Sequence, residues 1–258
     1  MIELNSTQQQ KQYKILLIGD NCIDVYQYGT VDRISPEAPV PIFKYSHKEQ
    51  RAGMAGNVNN NLRALGCSVN YLHSETSMKT RLIDSRSRQQ MIRIDDDVKA
   101  TPITFDTVIP DVYDAIVISD YDKGTVSYAL MEEIIQASEH GVKFPVFIDT
   151  KKTDLQRLQG AWVKINELEY SRITSECSGL IVTRGAKGAS VIHHNIECSA
   201  PRVEVADVTG AGDTFLSALA YCYVNTSSIE QAIKFAVKAS AVTVQHLGVY
   251  APTLQELE

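Results

Sequence analysis

Long apolar runs, abundant cysteine and a surplus of positive charge are all missing from this sequence of 258 residues. No stretch approaches the roughly 18 consecutive apolar residues that a membrane-spanning helix needs. The polar N-terminus lacks the apolar centre of a signal peptide. With 25 Lys and Arg against 31 Asp and Glu, the net charge is −6, so an extended basic surface is not expected. We therefore expect a cytoplasmic protein that binds neither a membrane nor nucleic acid.

Cysteine and histidine are too sparse and too scattered to indicate a metal centre. The five cysteines are odd in number and include no CxxC pair. This pattern indicates isolated thiols in a reducing compartment, with one reactive or bridged cysteine as the alternative. The six histidines show no metal-ligand spacing either. The content of 44% hydrophobic residues is ordinary for a globular protein and excludes a wholly disordered chain.

Short apolar segments alternate with helical patterns through most of the sequence. An apolar run such as KILLIG predicts a buried strand, and apolar residues three and four positions apart predict helices. The alternation predicts an α/β fold with a mostly parallel central sheet and helices on both faces. The predicted strands lie at 13–19, 115–119, 144–149, 162–165 and 180–183, and the predicted helices at 54–65, 127–140, 211–223 and 229–245.

Two regions interrupt this alternation. The first, at 25–45, is rich in Tyr, Val and Pro and has no helical period. The second has strand character at 90–95 and 103–108 without adjoining helices. We expect both to form a small inserted β-layer, a lid whose strands lie within about 25–47 and 88–108. Because no repeat or flexible linker occurs, residues 1–258 are expected to form a single domain.

The segment DVTGAGDTF at 207–215 leads directly into an apolar helix and is the sharpest chemical signal in the sequence. Its glycines allow a tight turn in which several backbone N–H groups face one anion at the helix N-terminus. The residues expected to bind this anion are Gly210, Ala211 and Gly212. Asp213 is placed to accept a proton from an attacking hydroxyl, or else only complements the helix start. Phe215 replaces the third glycine of GxGxxG, so the dinucleotide fingerprint is absent.

Several further motifs occur in the order typical of one enzyme family. They are Gly19-Asp20-Asn-Cys-Ile-Asp24, Ala52-Gly-Met-Ala-Gly-Asn57, Asn166-Glu-Leu-Glu169 and Thr183-Arg-Gly-Ala-Lys-Gly188. Together with the loop at 207–213, they make the chain resemble the ribokinase-like (PfkB) sugar kinases from about residue 14 to the C-terminus. The resemblance implies a ribokinase-like fold and transfer of a phosphoryl group from ATP to a sugar.

One branch of that family is favoured by the segment RISPEAPVP at 33–41. Support comes from KTR at 79–81, QQMIRID at 89–95, SDYDKG at 119–124 and DTK at 149–151. These segments resemble the heptose 7-phosphate kinases, the kinase half of bifunctional ADP-heptose synthases. The resemblance implies phosphorylation of O1 of D-glycero-β-D-manno-heptose 7-phosphate with ATP and Mg²⁺, and a monovalent cation is a further cofactor to consider. No HxGH motif occurs, so we expect no nucleotidyltransferase domain here and a separate nucleotidyltransferase downstream.

The same resemblance suggests roles for individual residues. The residues expected to contact the sugar are Asp24, Gly53, Asn57 and Asp120. The cations considered for a second phosphate are Arg33, Arg51, Arg88, Arg93 and Lys123, several of which must be solvated surface charges. The residues expected to contact the nucleotide are Asn166, Glu169, Thr183, Gly185 and Gly188. Glu169 is also expected to hold Mg²⁺ through water. For Asp24, Asn57 and Glu169 the alternative role is capping of a helix or turn. For Asp120 the alternative is that it only ends a strand.

The sequence also departs from the family pattern. Only about a dozen residues separate Gly66 from Lys79, roughly 30 fewer than in the related kinases. Met54 and Ala52 stand where those kinases have glycine and proline. We expect the shortened segment to expose one edge or flank of the sheet, or to move the hinge of the lid. A homodimer through the lid strands would cover an exposed flank. Two alternatives stay open: a kinase for another sugar, and a non-catalytic protein that binds a sugar phosphate.

Overall fold

A computed structural model describes residues 11–108, 112–140 and 144–257. Within these ranges the chain forms two β-sheets and six α-helices. The strands are β1 (Lys14–Gly19), β2 (Asn21–Ile34), β3 (Pro41–Met54), β4 (Ser68–Leu72), β5 (Thr76–Asp84), β6 (Gln90–Asp96), β7 (Ala115–Asp120), β8 (Val146–Thr150), β9 (Trp162–Asn166), β10 (Leu180–Thr183), β11 (Ala189–Val191) and β12 (Ile196–Cys198). The helices are α1 (Ala55–Ala64), α2 (Tyr128–His140), α3 (Glu167–Tyr170), α4 (Ala211–Thr226), α5 (Ile229–Thr243) and α6 (Leu254–Leu257).

The larger sheet contains eight strands in the order β12-β11-β10-β9-β8-β7-β1-β4. The neighbouring pairs from β10 across to β4 are parallel, and β10, β11 and β12 pair as antiparallel hairpins. Parallel strands end at the same edge of a sheet, where open α/β folds bind their ligands. The residues that follow β1, β7, β8, β9 and β10 therefore converge on one edge.

Apolar side chains on both faces of this sheet explain why helices cover it on two sides. In β1, Ile15 and Leu17 belong to the hydrophobic cluster that includes α1, α4 and α5, whereas Leu16 and Ile18 belong to the cluster that includes α2. All four side chains are fully buried, as expected for a parallel strand covered on both faces. The predicted ribokinase-like architecture, a mostly parallel sheet flanked by helices, is confirmed.

The smaller sheet has four strands in the order β3-β2-β5-β6. β2 and β3 form a long antiparallel hairpin, and β2 pairs with β5 in parallel. Much of β3 and all of β6 are exposed to solvent. The β-layer predicted from 25–47 and 90–95 is therefore present. We call this sheet the lid sheet, although its closure over a ligand stays a prediction.

Two details of this region differ from the sequence prediction. The strand prediction for 103–108 was wrong, because the segment contains a 3₁₀ turn at Phe105–Thr107. Both the N–H and the hydroxyl of Thr107 donate to the Thr104 carbonyl, which closes the turn locally. Strand β5 was not predicted as part of the lid, since its sequence TSMKTRLID places charged residues where a buried strand would have apolar ones.

The predicted helices match α1, α2, α4 and α5 to within three residues at each end. All five cysteines are free thiols, as their spacing suggested. In the described ranges, no helix combines the length and the apolarity needed to cross a membrane.

Candidate active site

The loop before α4 forms the tight turn that its glycines predict. Gly210 has a φ of +81°, in the left-handed region, and a Cβ there would lie 2.8 Å from Asn57 Nδ2, so the position requires glycine. The Gly210 carbonyl accepts the N–H of Thr214 in the first helical turn. Gly210, Ala211 and Gly212 therefore lie at the N-terminus of α4, where free N–H groups and the helix dipole favour an anion.

Asp213 lies in the first turn of α4, is only 6% exposed, and has a hydrogen bond on each carboxylate oxygen. The Asn57 amide donates to Oδ2 over 2.8 Å, and the Tyr121 hydroxyl donates to Oδ1 over 2.9 Å. Burial raises the pKa of Asp213 to about 6, although both hydrogen bonds favour the ionised form. A carboxylate with this pKa is ionised at neutral pH and suited to accept a proton from a hydroxyl.

A buried lysine lies next to the glycine loop. Lys164 on β9 forms an ion pair of 2.6 Å with Asp149 on β8, and both side chains are buried. A Cβ added to Gly212 would lie 2.9 Å from Lys164 Nζ, so the loop backbone closely approaches the ammonium group. Because Asp149 balances the charge of this ammonium, Lys164 offers N–H donors beside the partial positive charge of the helix N-terminus. Both favour a negatively charged group at this loop.

The N-x-x-E motif forms a capping box at the start of α3. Asn166 Oδ1 accepts the N–H of Glu169 over 2.9 Å, and Glu169 Oε2 accepts the N–H of Asn166 over 2.8 Å. Glu169 also pairs with Lys151, which follows β8. Burial disfavours ionisation of Glu169, but the hydrogen bonds from Lys151 and the Asn166 backbone outweigh it and lower its pKa. The capping interaction is thus present, and it holds an ionised carboxylate at the edge of the sheet.

The residues around Glu169 suit Mg²⁺, which prefers oxygen ligands and keeps much of its water shell. Glu169 uses both carboxylate oxygens within the protein, which favours contact with a cation through water. Asp149 Oδ1 is buried and has no hydrogen-bond partner among the described residues, so it has a free oxygen to offer. The described residues contain no group of three His, Cys, Asp or Glu side chains that could hold a metal alone, so phosphate and water would complete the shell.

An apolar cavity of about 510 Å³ opens beside the glycine loop. One wall is a face of α5 with Val237 and Ala241, continued at helical spacing by Val244 directly after the helix. Apolar volume beside an anion-binding loop suits a nucleotide, whose base is flat and apolar on its faces and whose phosphates are charged. The lining includes five residues of the predicted nucleotide site and anion loop, namely Thr183, Gly185, Gly188, Ala211 and Gly212.

Three of the four residues predicted to contact the sugar, Asp24, Gly53 and Asn57, are grouped around the start of α1. Asp24 on β2 lies against Gly53 on β3, and a Cβ at Gly53 would collide with its carboxylate. Asp24 Oδ1 also pairs with Arg81 on β5 over 2.5 Å. Asn57, in the first turn of α1, donates to Asp213. The predicted sugar-binding residues and the predicted proton acceptor therefore lie in one connected group.

One face of the lid sheet collects arginines around Asp24. The strand register places Asp24 opposite Arg51, and Arg81 opposite both Tyr26 and Arg93. Arg51 and Arg81 lie over the Tyr26 ring, 5.2 and 5.1 Å from its centroid. Each of these arginines also pairs with a carboxylate: Arg51 with Glu49 over 3.3 Å, Arg81 with Asp24, and Arg93 with Asp95. A phosphate bound at this face would share the guanidinium groups with those carboxylates.

The other cations considered for phosphate binding are divided between this face and the rest of the surface. Arg33 at the end of β2 and Arg88 after β5 are exposed. Lys123 forms an ion pair of 2.6 Å with Asp97. Arg93 shares the arginine-rich face but pairs with Asp95 over 2.7 Å. The structure therefore brings Arg93 towards the predicted sugar residues and does not do so for Arg33.

Asp120 is enclosed at the end of β7. It accepts the Thr150 hydroxyl over 2.5 Å and pairs with Lys152 over 3.0 Å. Burial raises the pKa of Asp120, while these partners and a backbone N–H oppose the rise. The contacts favour the alternative in which Asp120 ends the strand and joins it to β8, over direct contact with a sugar.

Sequence reasoning did not assign four residues that the structure places at this site. Each is near the carboxyl end of a parallel strand or directly follows one, which is the positional signal that could have identified it. Arg81 was noted only within the segment KTR, Tyr121 only within SDYDKG, and Asp149 and Lys151 only within DTK, each without a role. The four unassigned residues are Tyr121, Asp149, Lys151 and Lys164.

Sequence comparison supports the same interpretation. The profile described as pfkB family carbohydrate kinase matches residues 73–256. The bifunctional protein HldE of Pasteurella multocida is 32% identical over 304 residues, covering 96% of this chain and 63% of that protein. HldE of Nitratiruptor sp. is 33% identical over 305 residues, covering 95% and 64%. The chain thus spans less than two thirds of these relatives, and since the alignments exceed its 258 residues, the relatives contain internal segments that it lacks.

Solved structures support the fold. The ribokinase of Arabidopsis thaliana complexed with ribose and ATP superposes with a TM-score of 0.70 at 18% identity, covering 96% of this chain and 98% of that one. Phosphofructokinase-2 of Escherichia coli in complex with potassium gives a TM-score of 0.71 at 13% identity, covering 95% and 97%. The match of the family profile to most of the chain, on this fold, shows that the chain belongs to the pfkB family of carbohydrate kinases, phosphotransferases that act on a sugar hydroxyl.

Proposed function

We propose that the chain transfers the γ-phosphoryl group of ATP to O1 of D-glycero-β-D-manno-heptose 7-phosphate and so produces the 1,7-bisphosphate. The observation that carries this proposal is the environment of Asp213. It is a buried carboxylate with a pKa of about 6, at the N-terminus of α4 beside the glycine loop. Asn57 links it to the residues around Asp24 and Gly53. A proton acceptor, an anion site and a set of polar sugar contacts are thus adjacent.

A phosphorylated acceptor is supported by the arginine-rich face of the lid sheet. Arg51 and Arg81 flank Tyr26, and Arg93 lies opposite Arg81. A guanidinium group can donate two parallel hydrogen bonds to the oxygens of one phosphate. The Asp24 carboxylate beside them can accept hydrogen bonds from sugar hydroxyls. The segment at 33–41, which resembles the heptose 7-phosphate kinases, supports a heptose in particular. The HldE proteins are similar over nearly the whole chain.

In the proposed mechanism, Asp213 accepts the proton of the acceptor hydroxyl as its oxygen attacks the γ-phosphorus. Negative charge spreads over the phosphoryl group in transfer. The N–H groups of the loop from Gly210 to Gly212 and the ammonium of Lys164 stabilise this charge. Mg²⁺ bound near Asp149 and Glu169 would neutralise charge on the ATP phosphates. The cavity against α5 would hold the nucleotide base.

We also propose that two copies pair through their lid sheets. β6 is an edge strand, so its outer backbone groups pair with no other strand in the part of the chain that the structure describes. Ile92 and Ile94 are 53% and 52% exposed on the face opposite Arg93, which is unfavourable for a surface left in water. A second copy of the lid sheet would cover both features. Addition of a nucleotide to the sugar product would be the task of a separate nucleotidyltransferase.

Release of ADP from Mg·ATP, measured with a panel of free and phosphorylated sugars, tests the proposed reaction. We expect turnover with D-glycero-β-D-manno-heptose 7-phosphate. Turnover with another sugar alone would keep the kinase activity and reject the heptose assignment. If folded protein released no ADP with any sugar but its melting temperature rose with a sugar phosphate, the chain would be a non-catalytic binding protein.

The variant Asp213→Asn tests the proton acceptor. Since a positioned base contributes about 10²–10⁴-fold to rate, we expect kcat to fall by that factor while the KM for ATP changes little. Asp114→Asn is the matched control. The Asp114 carboxylate accepts hydrogen bonds from the Lys11 ammonium and the Lys14 N–H, and it lies at the edge of the sheet opposite the candidate site. Turnover of Asp213→Asn at the wild-type rate would remove Asp213 from this role.

A further inference from the structure

Tyr121 contacts two parts of the site and has no role in the mechanism described above. Its hydroxyl donates to Asp213 Oδ1 over 2.9 Å, and its ring centroid lies 5.2 Å from the ammonium of Lys151. Lys151 in turn pairs with Glu169 of the N-x-x-E motif. One side chain therefore connects the carboxylate that would accept the proton to a cation on the nucleotide side.

The backbone holds Tyr121 in this position. Asp20, buried directly after β1, accepts the N–H of Tyr121 over 2.8 Å and two further N–H groups of the same loop over 3.1 Å each. The next residue, Asp122, has a φ of +59° and donates its N–H to Asp120. A tight turn fixed at both ends directs the phenol towards Asp213 before any ligand binds.

Asp213 needs hydrogen-bond donors because burial favours its neutral form. Among the described residues, its carboxylate accepts hydrogen bonds from the side chains of Asn57 and Tyr121. Without the Tyr121 hydroxyl, Oδ1 would be a buried acceptor with no donor, and the protonated carboxyl would be favoured. A protonated carboxyl cannot accept the proton of a sugar hydroxyl. The other charged groups that face Asp213 are Asp149, Lys151 and Lys164.

We propose that Tyr121 is a positioning residue of the phosphoryl transfer. Its hydroxyl keeps the Asp213 carboxylate oriented and ionised, and its ring holds the Lys151 ammonium beside the nucleotide phosphates. This proposal rests on the proposed kinase function. In the step it supports, the bond from the acceptor oxygen to the γ-phosphorus forms and the bond from that phosphorus to the ADP oxygen breaks. The acceptor proton goes to Asp213, and Tyr121 keeps its own proton throughout.

Tyr121→Phe isolates the hydroxyl because it retains the ring. Loss of a hydrogen bond to a buried carboxylate is expected to raise the midpoint of Asp213 ionisation by about one pH unit. The kcat/KM for the sugar phosphate should then fall about eightfold at pH 5.5 and about twofold at pH 7, and recover by about pH 8.5. A loss of equal size at every pH, or a profile identical to the wild type, would overturn the role of the hydroxyl.

Tyr121→Leu removes the ring as well. Because the ring face attracts the Lys151 ammonium, we expect the Kd for Mg·ATP to rise about fivefold in Tyr121→Leu and to stay unchanged in Tyr121→Phe. Equal affinities in the two variants would overturn the role of the ring. Tyr128→Phe is the matched control, since the Tyr128 hydroxyl accepts the N–H of Asp154 over 3.0 Å and makes no contact with Asp213. It should match the wild type in both measurements.

A measurement without turnover separates this inference from the kinase assignment. The carbon-13 signal of the Asp213 carboxyl, identified by its absence in Asp213→Asn, reports ionisation directly. We expect a midpoint near pH 6 in the wild type and about one unit higher in Tyr121→Phe. This shift in a protein that releases no ADP would support the Tyr121 contact and reject the kinase reaction. An unchanged midpoint in an active enzyme would reject the Tyr121 role alone.

Discussion

The buried carboxylate of Asp213 links activity to stability at one position. Its pKa rises from 3.8 to about 6 because burial disfavours the charge. An unfolded chain therefore loses this proton near pH 4, while the folded protein keeps it to about pH 6. Stability from this group is present below pH 4 and is lost as the pH rises to about 6. At 1.36 kcal/mol per unit, the ionised carboxylate costs about 3 kcal/mol at neutral pH.

We expect Asp213→Asn to be more stable than the wild type at pH 8, by about 1–3 kcal/mol, because asparagine carries no charge that burial opposes. The advantage should disappear near pH 4, where Asp213 is protonated. Urea unfolding at both pH values measures the difference. Asp114→Asn should change stability in the opposite direction at pH 8, since hydrogen bonds from Lys11 and Lys14 outweigh burial and lower the pKa of Asp114. A destabilised Asp213→Asn at pH 8 would contradict the assigned cost of burial.

Met54 occupies a backbone conformation that side chains avoid. Its φ and ψ are 51° and −133°, and its side chain is buried. Met54→Ala keeps the strain and loses the packing, whereas Met54→Gly loses the packing but relieves roughly 1–2 kcal/mol of strain. We expect both variants to be less stable than the wild type, with glycine more stable than alanine by about 1 kcal/mol. Urea unfolding of the pair would contradict this if alanine were the more stable.

Helix α5 forms one wall of the proposed nucleotide cavity through a single face. Val237, Ala241 and Val244 are spaced so that they point the same way. Ala241→Phe would fill part of the cavity of about 510 Å³, so we expect the KM for ATP to rise at least about tenfold with little change in the KM for the sugar. Gln231→Phe, on an exposed part of the same helix, should leave both KM values unchanged. An unaltered KM for ATP in Ala241→Phe would place the nucleotide elsewhere.

In the larger sheet, the strands that sequence alone predicted are buried on both faces. β1 and β7 are covered by helices on both sides, so each is a continuous apolar run. β5 has no such environment, because one face directs Arg81 towards Asp24 and the other is partly exposed. Its composition therefore resembles a polar loop, and the strand could not be read from it. At 103–108, a local 3₁₀ turn forms instead of a strand. The β-propensity of these residues is not enough to predict which of the two structures forms.

The residues of the candidate site also fall into two groups: those that a local motif identifies and those that only the fold brings into place. Gly210 and Asp213 belong to a contiguous motif, and a local argument from loop geometry and the helix dipole is enough to identify them. The Tyr121 hydroxyl reaches Asp213 across 92 positions of sequence. That contact exists because β7 lies near the centre of the larger sheet and α4 packs across it. The order of strands in a sheet is a property of the whole fold. The residues around Tyr121 therefore do not predict its contact with Asp213.

The lid sheet has two chemically different faces, which is the basis for expecting a second copy of the chain. Asp24, Arg51 and Arg81 share the face with the polar contacts of the candidate site. Successive residues of a strand alternate between faces, so Ile92 and Ile94 on β6 lie on the opposite face, where both are exposed. The same strand is also a free edge. An exposed apolar face next to an unpaired edge favours association.

We expect the wild type to sediment as a dimer at micromolar concentration, and the double change Ile92→Lys with Ile94→Lys to weaken the dimer at least about tenfold, since two opposed lid sheets would bring the added charges together. Val112→Lys is the matched control. Val112 is also exposed and apolar, but it precedes β7 at the opposite edge of the larger sheet from the candidate site. Dissociation in Val112→Lys and not in the double variant would place the interface away from the lid. A monomeric wild type at every concentration would show that these isoleucines face solvent, and that the lid sheet is stable without a second copy.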